Sequence, residues 1–219
     1  MKSISDVGHH GFRMVELDPS ITVDKNWVIM HDLTVDRMTN GTGYVSDFTL
    51  QEIKNLEIKF PYSDSEEILR VPTLEEAVKE CSFYGMGIML DGQRYSTNET
   101  FLEYFIELFE RYHLLQKSIF HMPTLEKRQL GSNYPEITMA VTVNVSELDN
   151  MLNEIKNYKN RMVIGFKTDN LTSEAIRRTR EAGALVYAWD AYNFQQAYKW
   201  INHGISFIET DYIIPGGLY

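Results

Sequence analysis

The feature that most constrains the fold is a regular alternation of short apolar segments with amphipathic segments from residue 84 to residue 210. The apolar segments have the length of strands, and the segments between them carry apolar residues at helical spacing. Strands that alternate with helices pair in parallel through right-handed crossovers. The pattern therefore predicts a parallel β-sheet whose strands are connected by helices.

Seven parallel strands are predicted in all, at residues 12–18, 85–91, 118–122, 137–143, 162–166, 184–189 and 205–210. Five helices are predicted between these strands. The first two lie at 99–115 and 125–130, and the third begins after an N-cap at Ser146. The fourth lies at 172–182 and is ended by Gly183, and the fifth runs to about Asn202 and is ended by Gly204. Seven strands favour a TIM-type (β/α) barrel that is incomplete at its N-terminus, with about seven of eight strands, over an open sheet.

Residues 33–72 interrupt this rhythm. They include Asn40-Gly41-Thr42-Gly43 and one weak helical pattern near residues 50–56. We interpret this stretch as an insertion on the barrel rim rather than as a second domain. The whole chain, residues 1–219, is then a single domain, which its length allows.

The overall charge and hydropathy exclude several classes of protein. A formal net charge of −10 argues against a general nucleic-acid-binding protein, which needs a basic surface. The same charge suits carboxylates gathered around a cation, although acidic surfaces also serve solubility. No apolar run has the length of a membrane span, and no secretory signal is visible. We expect a soluble protein whose compartment is open, with the cytoplasm as the default. The single cysteine, Cys81, is expected in a helix core.

Carboxylates are predicted to meet where two strands end. Glu16 and Asp18 alternate along the first strand and so share one face of it. Asp91 follows the strand at 85–91, and the C-terminal strand ends of a (β/α) barrel form the active-site mouth. Three carboxylates suit Mg²⁺ or Ca²⁺, which prefer hard oxygen ligands.

A histidine follows the next apolar run. Residues 27–30 are apolar and lead into His31, which lies 13 residues after Asp18 across a predicted tight strand–turn–strand. Such a turn would bring His31 near the carboxylate pair. A histidine at this kind of strand end is also commonly a hydrogen-bonded structural group, so the two interpretations stay open.

These stretches resemble the glycerophosphodiester phosphodiesterase family. Residues 16–43 are similar to its pattern of Glu-x-Asp, Thr-x-Asp, a hydrophobic run into His-Asp, and Arg-x-Thr-Asn-Gly-x-Gly. The matching residues are Glu16, Asp18, Thr22, Asp24, His31, Asp32, Arg37, Thr39, Asn40, Gly41 and Gly43. Residues 71–77 resemble the family's Pro-Thr-Leu-Glu-Glu helix start, and residues 184–193 and 204–212 resemble its last two strands.

The resemblance implies a site and a reaction. Glu16, Asp18 and Asp91 would bind the divalent cation, with aspartate at position 91 instead of the family's usual glutamate, as in sphingomyelinase D enzymes that share the barrel. His31 would be one of two catalytic histidines and would transfer a proton to or from the glycerol oxygen. Trp189 would line the pocket near the glycerol or alcohol group. The substrate would be a small-molecule phosphodiester.

The chain also departs from the family pattern. The family opens with a strand ending in His-Arg-Gly and then a Pro-Glu-Asn-Thr stretch, which this sequence lacks before Glu16. His9 and His10 lie in the turn entering the first strand, at the opposite rim. Gln93, expected to contact the substrate, replaces a lysine that steadies the phosphate, and His121 would partly compensate.

These departures leave two explanations open: a shortened start of an ordinary enzyme, or a natural degenerate member. A barrel gap would expose strand edges, so we expect the N-terminal segment, the C-terminal tail or a second copy of the chain to cover it. Hydrolysis of a glycerophosphodiester to an alcohol and glycerol phosphate is the leading hypothesis. The alternatives are a catalytically weak phosphodiester- or metal-binding module and a sphingomyelinase D-like lyase.

Overall fold

The computed structural model describes residues 2–59, 68–91, 98–211 and 213–214. The chain divides into two compact units. The first comprises Met1–His9 and Arg13–Ser118, and the second comprises His10–Phe12 and Ile119–Tyr219. Among the helices of the described residues, none has the length and apolar character needed to cross a membrane.

The described residues of the first unit form two parallel strands, a hairpin and four α-helices. Its elements are α1 (Lys2–His9), β1 (Met14–Leu17), β2 (Pro19–Ile21), β3 (Trp27–Ile29), α2 (Leu50–Asn55), α3 (Leu74–Phe83), β4 (Gly87–Leu90) and α4 (Glu99–Arg111). β1 and β4 pair in parallel, with Met14 opposite Gly87 and Leu17 opposite Leu90. β2 and β3 form the predicted antiparallel hairpin.

Two helices of this unit begin with the same local device. Thr49 before α2 and Thr73 before α3 each accept a hydrogen bond from the backbone N–H three residues later, and Glu52 and Glu76 reciprocate. Such capping boxes satisfy N–H groups that a helix start leaves without partners. Both helices therefore begin where the sequence provides a threonine followed by glutamate at the third position.

A small apolar core joins the insertion at 33–72 to β3 and the residue that follows it. Six buried residues form this core: Val28, Met30, Val35, Val45, Ile53 and Val71. The helix predicted near residues 50–56 is confirmed as α2, which contributes Ile53. The position of this insertion on a barrel rim and the single-domain organisation stay predictions.

The second unit is a series of β–α steps. Its elements are β5 (Ile119–His121), α5 (Leu125–Gly131), β6 (Thr138–Thr142), α6 (Leu148–Glu154), β7 (Arg161–Lys167), α7 (Ser173–Glu181), β8 (Leu185–Trp189), α8 (Phe194–Asn202) and β9 (Phe207–Ile208). Each strand from β5 to β9 pairs in parallel with the next one. Gly183 and Gly204 end α7 and α8 at φ values of 84° and 86°, as predicted.

Some local predictions differ from the structure. The helix predicted at 99–115 ends at Arg111, because the chain turns at His113, whose φ is 58°. Ser146 is not the N-cap of α6, because Asn144 and Glu147 form a capping box that starts a 3-10 turn at Val145–Glu147, which leads into α6. Ser146 lies inside that turn. The last strand is also shorter than the predicted residues 205–210, since only Phe207 and Ile208 form it.

The fold class is confirmed. Within the described residues, the first unit contributes two parallel strands and the second contributes five. These are the seven strands expected of a TIM-type (β/α) barrel that is incomplete by about one strand. Cys81 is fully buried in α3, as expected, and burial raises the pKa of its thiol to about 12.

Candidate metal centre and active site

The pairing of β1 with β4 brings three carboxylates together. Leu17 and Leu90 are partners in the register, so Asp18 and Asp91 are the next residues along two adjacent parallel strands. The backbone N–H of Asp91 donates to the carbonyl of Leu17 at 2.9 Å, which continues the pairing one residue beyond β4. Glu16 lies two residues before Asp18 and therefore on the same face of the chain.

The carboxylates of Glu16, Asp18 and Asp91 each place an oxygen within 4.8 Å of the other two. Glu16 is exposed, Asp18 is half-buried and Asp91 is only 6% exposed. Three negative groups this close repel one another, and a cation between them relieves that repulsion. An all-carboxylate donor set supplies the hard oxygen atoms that Mg²⁺ and Ca²⁺ prefer, so these residues fit a divalent cation.

The β2–β3 hairpin returns the chain to the end of β1. The N–H of Met30 donates to the carbonyl of Asp18 at 3.0 Å, and the Ser20 hydroxyl donates to the carbonyl of Met30 at 3.0 Å. His31 is the next residue. The predicted strand–turn–strand is thus confirmed. The residue before His31 is hydrogen-bonded to Asp18, and this fixes the backbone of His31 close to Asp18.

The hairpin turn is tied to α2. The Thr22 hydroxyl donates to Asp24 at 2.5 Å, and the carboxylate of Asp24 accepts the N–H of Leu50 at 3.0 Å. The hydrogen bond from Thr22 lowers the pKa of Asp24, which keeps its carboxylate ionised. The Thr-x-Asp match in the sequence is therefore a structural element that anchors the hairpin.

His31 belongs to a hydrogen-bonded chain of three side chains. Its Nδ1 lies 2.7 Å from Oδ1 of Asp32. The guanidinium of Arg37 donates to both oxygens of Asp32, at 2.6 Å from Nε to Oδ2 and at 2.8 Å from Nη2 to Oδ1. The hydrogen bonds from Arg37 and then from His31 hold the pKa of Asp32 far below its usual range.

The loop that carries Arg37 is internally bonded. Buried Thr39 donates its hydroxyl to the carbonyl of Val35 at 2.8 Å and accepts the N–H of Gly41 at 3.1 Å. The Asn40 side chain accepts the N–H of Glu57 at 2.9 Å. A Cβ at Gly41 would lie 2.8 Å from a methyl group of Leu56, so only glycine fits without displacement. These residues of the Arg-x-Thr-Asn-Gly-x-Gly match shape the loop.

The other predicted site residues lie elsewhere. Gln93 falls outside the residues that the structure describes. In the second unit, His121 is the last residue of β5 and is buried, with Nε2 3.4 Å from the Thr142 hydroxyl oxygen. Trp189 ends β8, is half-buried, and packs with its ring 5.9 Å from that of Tyr187. Substrate contacts by all three stay predictions.

One of the two histidines before β1 lies in a helix rather than in the predicted turn. His9 ends α1, and both His9 and His10 precede β1, whereas the carboxylate cluster lies at its other end. The ring of His9 contacts that of Tyr84 at 5.1 Å, and its Nδ1 lies 2.8 Å from the carbonyl of Ser5. These contacts give His9 a packing role in the first unit.

Asp32 and Arg37 belong to the sequence motif, but the motif predicts no role for them. Their contact joins side chains five residues apart across an irregular loop, which no helical or strand periodicity predicts. The available signal was the acid directly after His31 with an arginine shortly beyond it.

Comparison with known proteins places this geometry in context. The model of the glycerophosphoryl diester phosphodiesterase family matches residues 1–105, which contain the carboxylate cluster and His31. A glycerophosphodiester phosphodiesterase of Bacillus subtilis is 28% identical over 221 residues, covering 90% of this chain and 73% of that protein. The Caldanaerobacter subterraneus glycerophosphodiester phosphodiesterase is 48% identical over 62 residues, 28% of this chain and 26% of that protein.

Solved structures extend the likeness to nearly the whole chain. A phosphodiesterase from Oleispira antarctica, solved in complex with the product sn-glycerol-3-phosphate, superposes with a TM-score of 0.82 at 22% identity. The superposition covers 96% of this chain and 86% of that one. At this identity the likeness establishes the fold.

Proposed function

Because this chain belongs to the glycerophosphoryl diester phosphodiesterase family, we propose that it hydrolyses a glycerophosphodiester to an alcohol and glycerol phosphate with the aid of a divalent cation. The general reaction class, that of a phosphoric diester hydrolase, follows from the family. The observation that carries the finer proposal is the convergence of Glu16, Asp18 and Asp91 within 4.8 Å beside the hairpin that presents His31.

Glu16, Asp18 and Asp91 are proposed to hold the cation. Their oxygen donors match the preference of Mg²⁺ and Ca²⁺, and the half-buried and buried positions of Asp18 and Asp91 limit competition from water. When bound there, a divalent cation supplies positive charge that neutralises the phosphodiester oxygens and lowers the pKa of the attacking hydroxyl or water.

His31 is proposed to move the proton that the reaction requires. Hydrolysis breaks the bond between phosphorus and the alcohol oxygen and forms a bond from phosphorus to the attacking oxygen. One proton leaves the attacking group and one reaches the departing alcohol oxygen. An imidazole titrates close to neutral pH and can perform either transfer at a positioned nitrogen.

His121 and Trp189 are proposed to contact the substrate. His121 ends β5 and Trp189 ends β8, and in (β/α) barrels the residues at C-terminal strand ends build the active site. Gln93 is proposed to contact the phosphate. The sn-glycerol-3-phosphate bound by the Oleispira antarctica phosphodiesterase supports glycerol phosphate as the product.

The proposal is tested by the steady-state hydrolysis of sn-glycero-3-phosphocholine with Mg²⁺ or Ca²⁺. We expect His31→Ala to lower kcat by about 100-fold or more, since a positioned acid–base group contributes roughly 10²–10⁴-fold. The matched control is His203→Ala, because His203 is exposed at the end of α8 in the second unit. Equal rates for the wild type and His31→Ala would remove His31 from the mechanism.

A further inference from the structure

Nδ1 of His31 contacts the carboxylate of Asp32, which is held in turn by two hydrogen bonds from Arg37. We infer that Asp32 and Arg37 are positioning residues that hold His31 in a single orientation and tautomer for proton transfer. The inference deepens the proposed function, because it assumes that His31 transfers the proton. It assigns a task to two residues that have none in the proposed reaction.

Arg37 fixes the orientation of the Asp32 carboxylate. A guanidinium that donates from Nε and Nη2 to the two oxygens of one carboxylate holds both planes together. Rotation of Asp32 about its terminal bond would break both hydrogen bonds at once. Oδ1 of Asp32, which accepts from Arg37, is also the atom 2.7 Å from Nδ1 of His31.

Asp32 in turn determines which imidazole nitrogen carries the proton. An ionised carboxylate has no hydrogen to donate, so Nδ1 of His31 must be the donor in their contact. In the neutral ring Nε2 then becomes the basic nitrogen. The hydrogen bonds from Arg37 and then from His31 hold the pKa of Asp32 below its usual range, so its carboxylate is ionised at neutral pH.

The exposure of these side chains indicates that their pairing serves orientation rather than stability. The exposed fractions are 55% for His31, 25% for Asp32 and 61% for Arg37. Ion pairs that water reaches contribute little to folding, because solvent screens them and side-chain entropy opposes them. An exposed histidine without such contacts would sample several rotamers and both tautomers.

The backbone beneath Arg37 is rigid enough for this task. Arg37 lies midway between Val35 and Thr39. Thr39 is completely buried, and both its hydroxyl and its N–H donate hydrogen bonds to the carbonyl of Val35. The N–H of Val35 donates to the carbonyl of Gly43 at 2.9 Å. Arg37 thus extends from a closed loop whose ends are fixed on both sides.

The kinetic test compares Asp32→Ala, Arg37→Ala and Arg37→Lys with the wild type, using sn-glycero-3-phosphocholine as substrate. We expect Asp32→Ala and Arg37→Ala to lower kcat by about 10- to 100-fold while KM changes little, since orientation rather than binding is lost. Lysine cannot donate from two nitrogens, so Arg37→Lys should resemble Arg37→Ala. Added guanidinium should partly restore Arg37→Ala. The matched control is Asp47→Ala, an exposed carboxylate in the same unit.

A spectroscopic test is independent of turnover. Two-bond proton–nitrogen NMR correlations report the tautomer of a histidine ring, and His31→Ala assigns the signals. At a pH about two units above the ordinary histidine pKa of ~6.5, we expect the wild-type ring to carry its proton on Nδ1. In Asp32→Ala the proton should move largely to Nε2, with the unfolding midpoint unchanged.

The two tests separate the possible failures. A wild-type ring protonated on Nε2, or a tautomer that Asp32→Ala leaves unchanged, would overturn the positioning role whatever the activity. A tautomer change with no turnover in the wild type would contradict the proposed hydrolysis instead. A lower kcat in Asp47→Ala equal to that in Asp32→Ala would also overturn the inference, because charge alone would then explain the effect.

Discussion

Asp91 is the residue on which the carboxylate cluster depends most. It is the most deeply buried of the three acids, and its backbone is fixed to Leu17 by a hydrogen bond of 2.9 Å. Glu16 is exposed and can move toward solvent, whereas the side chain of Asp91 has little room to do so. Its shorter side chain, compared with a glutamate, also places the carboxylate close to the strand end.

We therefore predict that Asp91→Asn weakens the binding of Mg²⁺ and Ca²⁺ by about 100-fold or more. An amide lacks the charge that offsets the desolvation of the cation and accepts through one oxygen only. Calorimetric titration of each cation measures the effect, with the exposed Glu126→Gln as the control for lost charge. Equal affinities in Asp91→Asn and the wild type would place the cation elsewhere.

The positions of the three acids and of His31 at strand ends could be predicted from the sequence, because strand alternation and parallel pairing determine which residues lie there. The chain of contacts from His31 through Asp32 to Arg37 could not, because it lies in an irregular loop. There the geometry comes from buried Thr39 and from side-chain hydrogen bonds, and neither leaves a periodic pattern.

At the scale of elements, close backbone packing behind β4 supports the site. Gly87 begins β4 opposite Met14, and a Cβ at this position would lie 2.0 Å from the carbonyl oxygen of Lys117. A backbone atom cannot rotate away as a side chain can. Glycine at position 87 is therefore required for β4 to approach the backbone at Lys117. Asp91 directly follows β4, so this approach also affects the carboxylate cluster.

Gly87→Ala should destabilise the protein by about 2–3 kcal/mol, as expected of an overpacked, rigid contact. Gly85→Ala provides the matched comparison. Gly85 has a φ of 66° but no atom closer than 3.9 Å to an added Cβ, so only backbone strain of about 1 kcal/mol is expected. Urea unfolding measures both changes. A loss for Gly87→Ala no larger than that for Gly85→Ala would contradict the steric explanation.

An ion pair between Arg128 and Glu154 joins α5 to α6. The Arg128 side chain is 7% exposed and donates to Glu154 at 2.6 and 3.0 Å, and also to the carbonyls of Met122 and Pro123. The hydrogen bond from Arg128 lowers the pKa of Glu154. A carboxyl whose pKa is lower in the folded state stabilises the fold above its ordinary pKa and loses this contribution as the pH falls.

We expect Glu154→Gln to destabilise the protein by about 2 kcal/mol near neutral pH, because Arg128 then keeps its charge without its partner. The difference from the wild type should shrink as the pH falls through the lowered pKa of Glu154, because the carboxylate then becomes protonated. Urea unfolding at a series of pH values from neutral to acidic provides the measurement. Glu174→Gln, in an exposed ion pair, should change stability far less than Glu154→Gln does. A difference that stays constant with pH would refute the assignment.

Most elements were predictable because their signals are local. Strand and helix positions follow from periodicity, and Gly183 and Gly204 mark two helix ends correctly. Ser146 was the wrong N-cap because two capping residues lie close together, and the pair Asn144 and Glu147 satisfies both partners of a capping box. β9 is shorter than the apolar segment that predicts it, because backbone pairing with the neighbouring strand, rather than hydropathy, determines where a strand ends.

At the scale of the whole molecule, the number and direction of the strands follow from the sequence, and the fold of solved phosphodiesterases agrees over 96% of the chain. The pocket is harder to predict. The roles proposed for His121 and Trp189, at the ends of β5 and β8, depend on tertiary packing that local patterns do not encode. Kinetics of the intact chain therefore test the account best.

The most direct measurement is a phosphorus NMR time course of the purified chain with sn-glycero-3-phosphocholine, first with Mg²⁺ or Ca²⁺ and then after chelation of the cation. The proposed carboxylate site predicts that the diester signal gives way to glycerol phosphate with at least one cation, and that conversion falls to background once the cation is removed. A diester that persists with both cations, or conversion at the same rate after chelation, would contradict it.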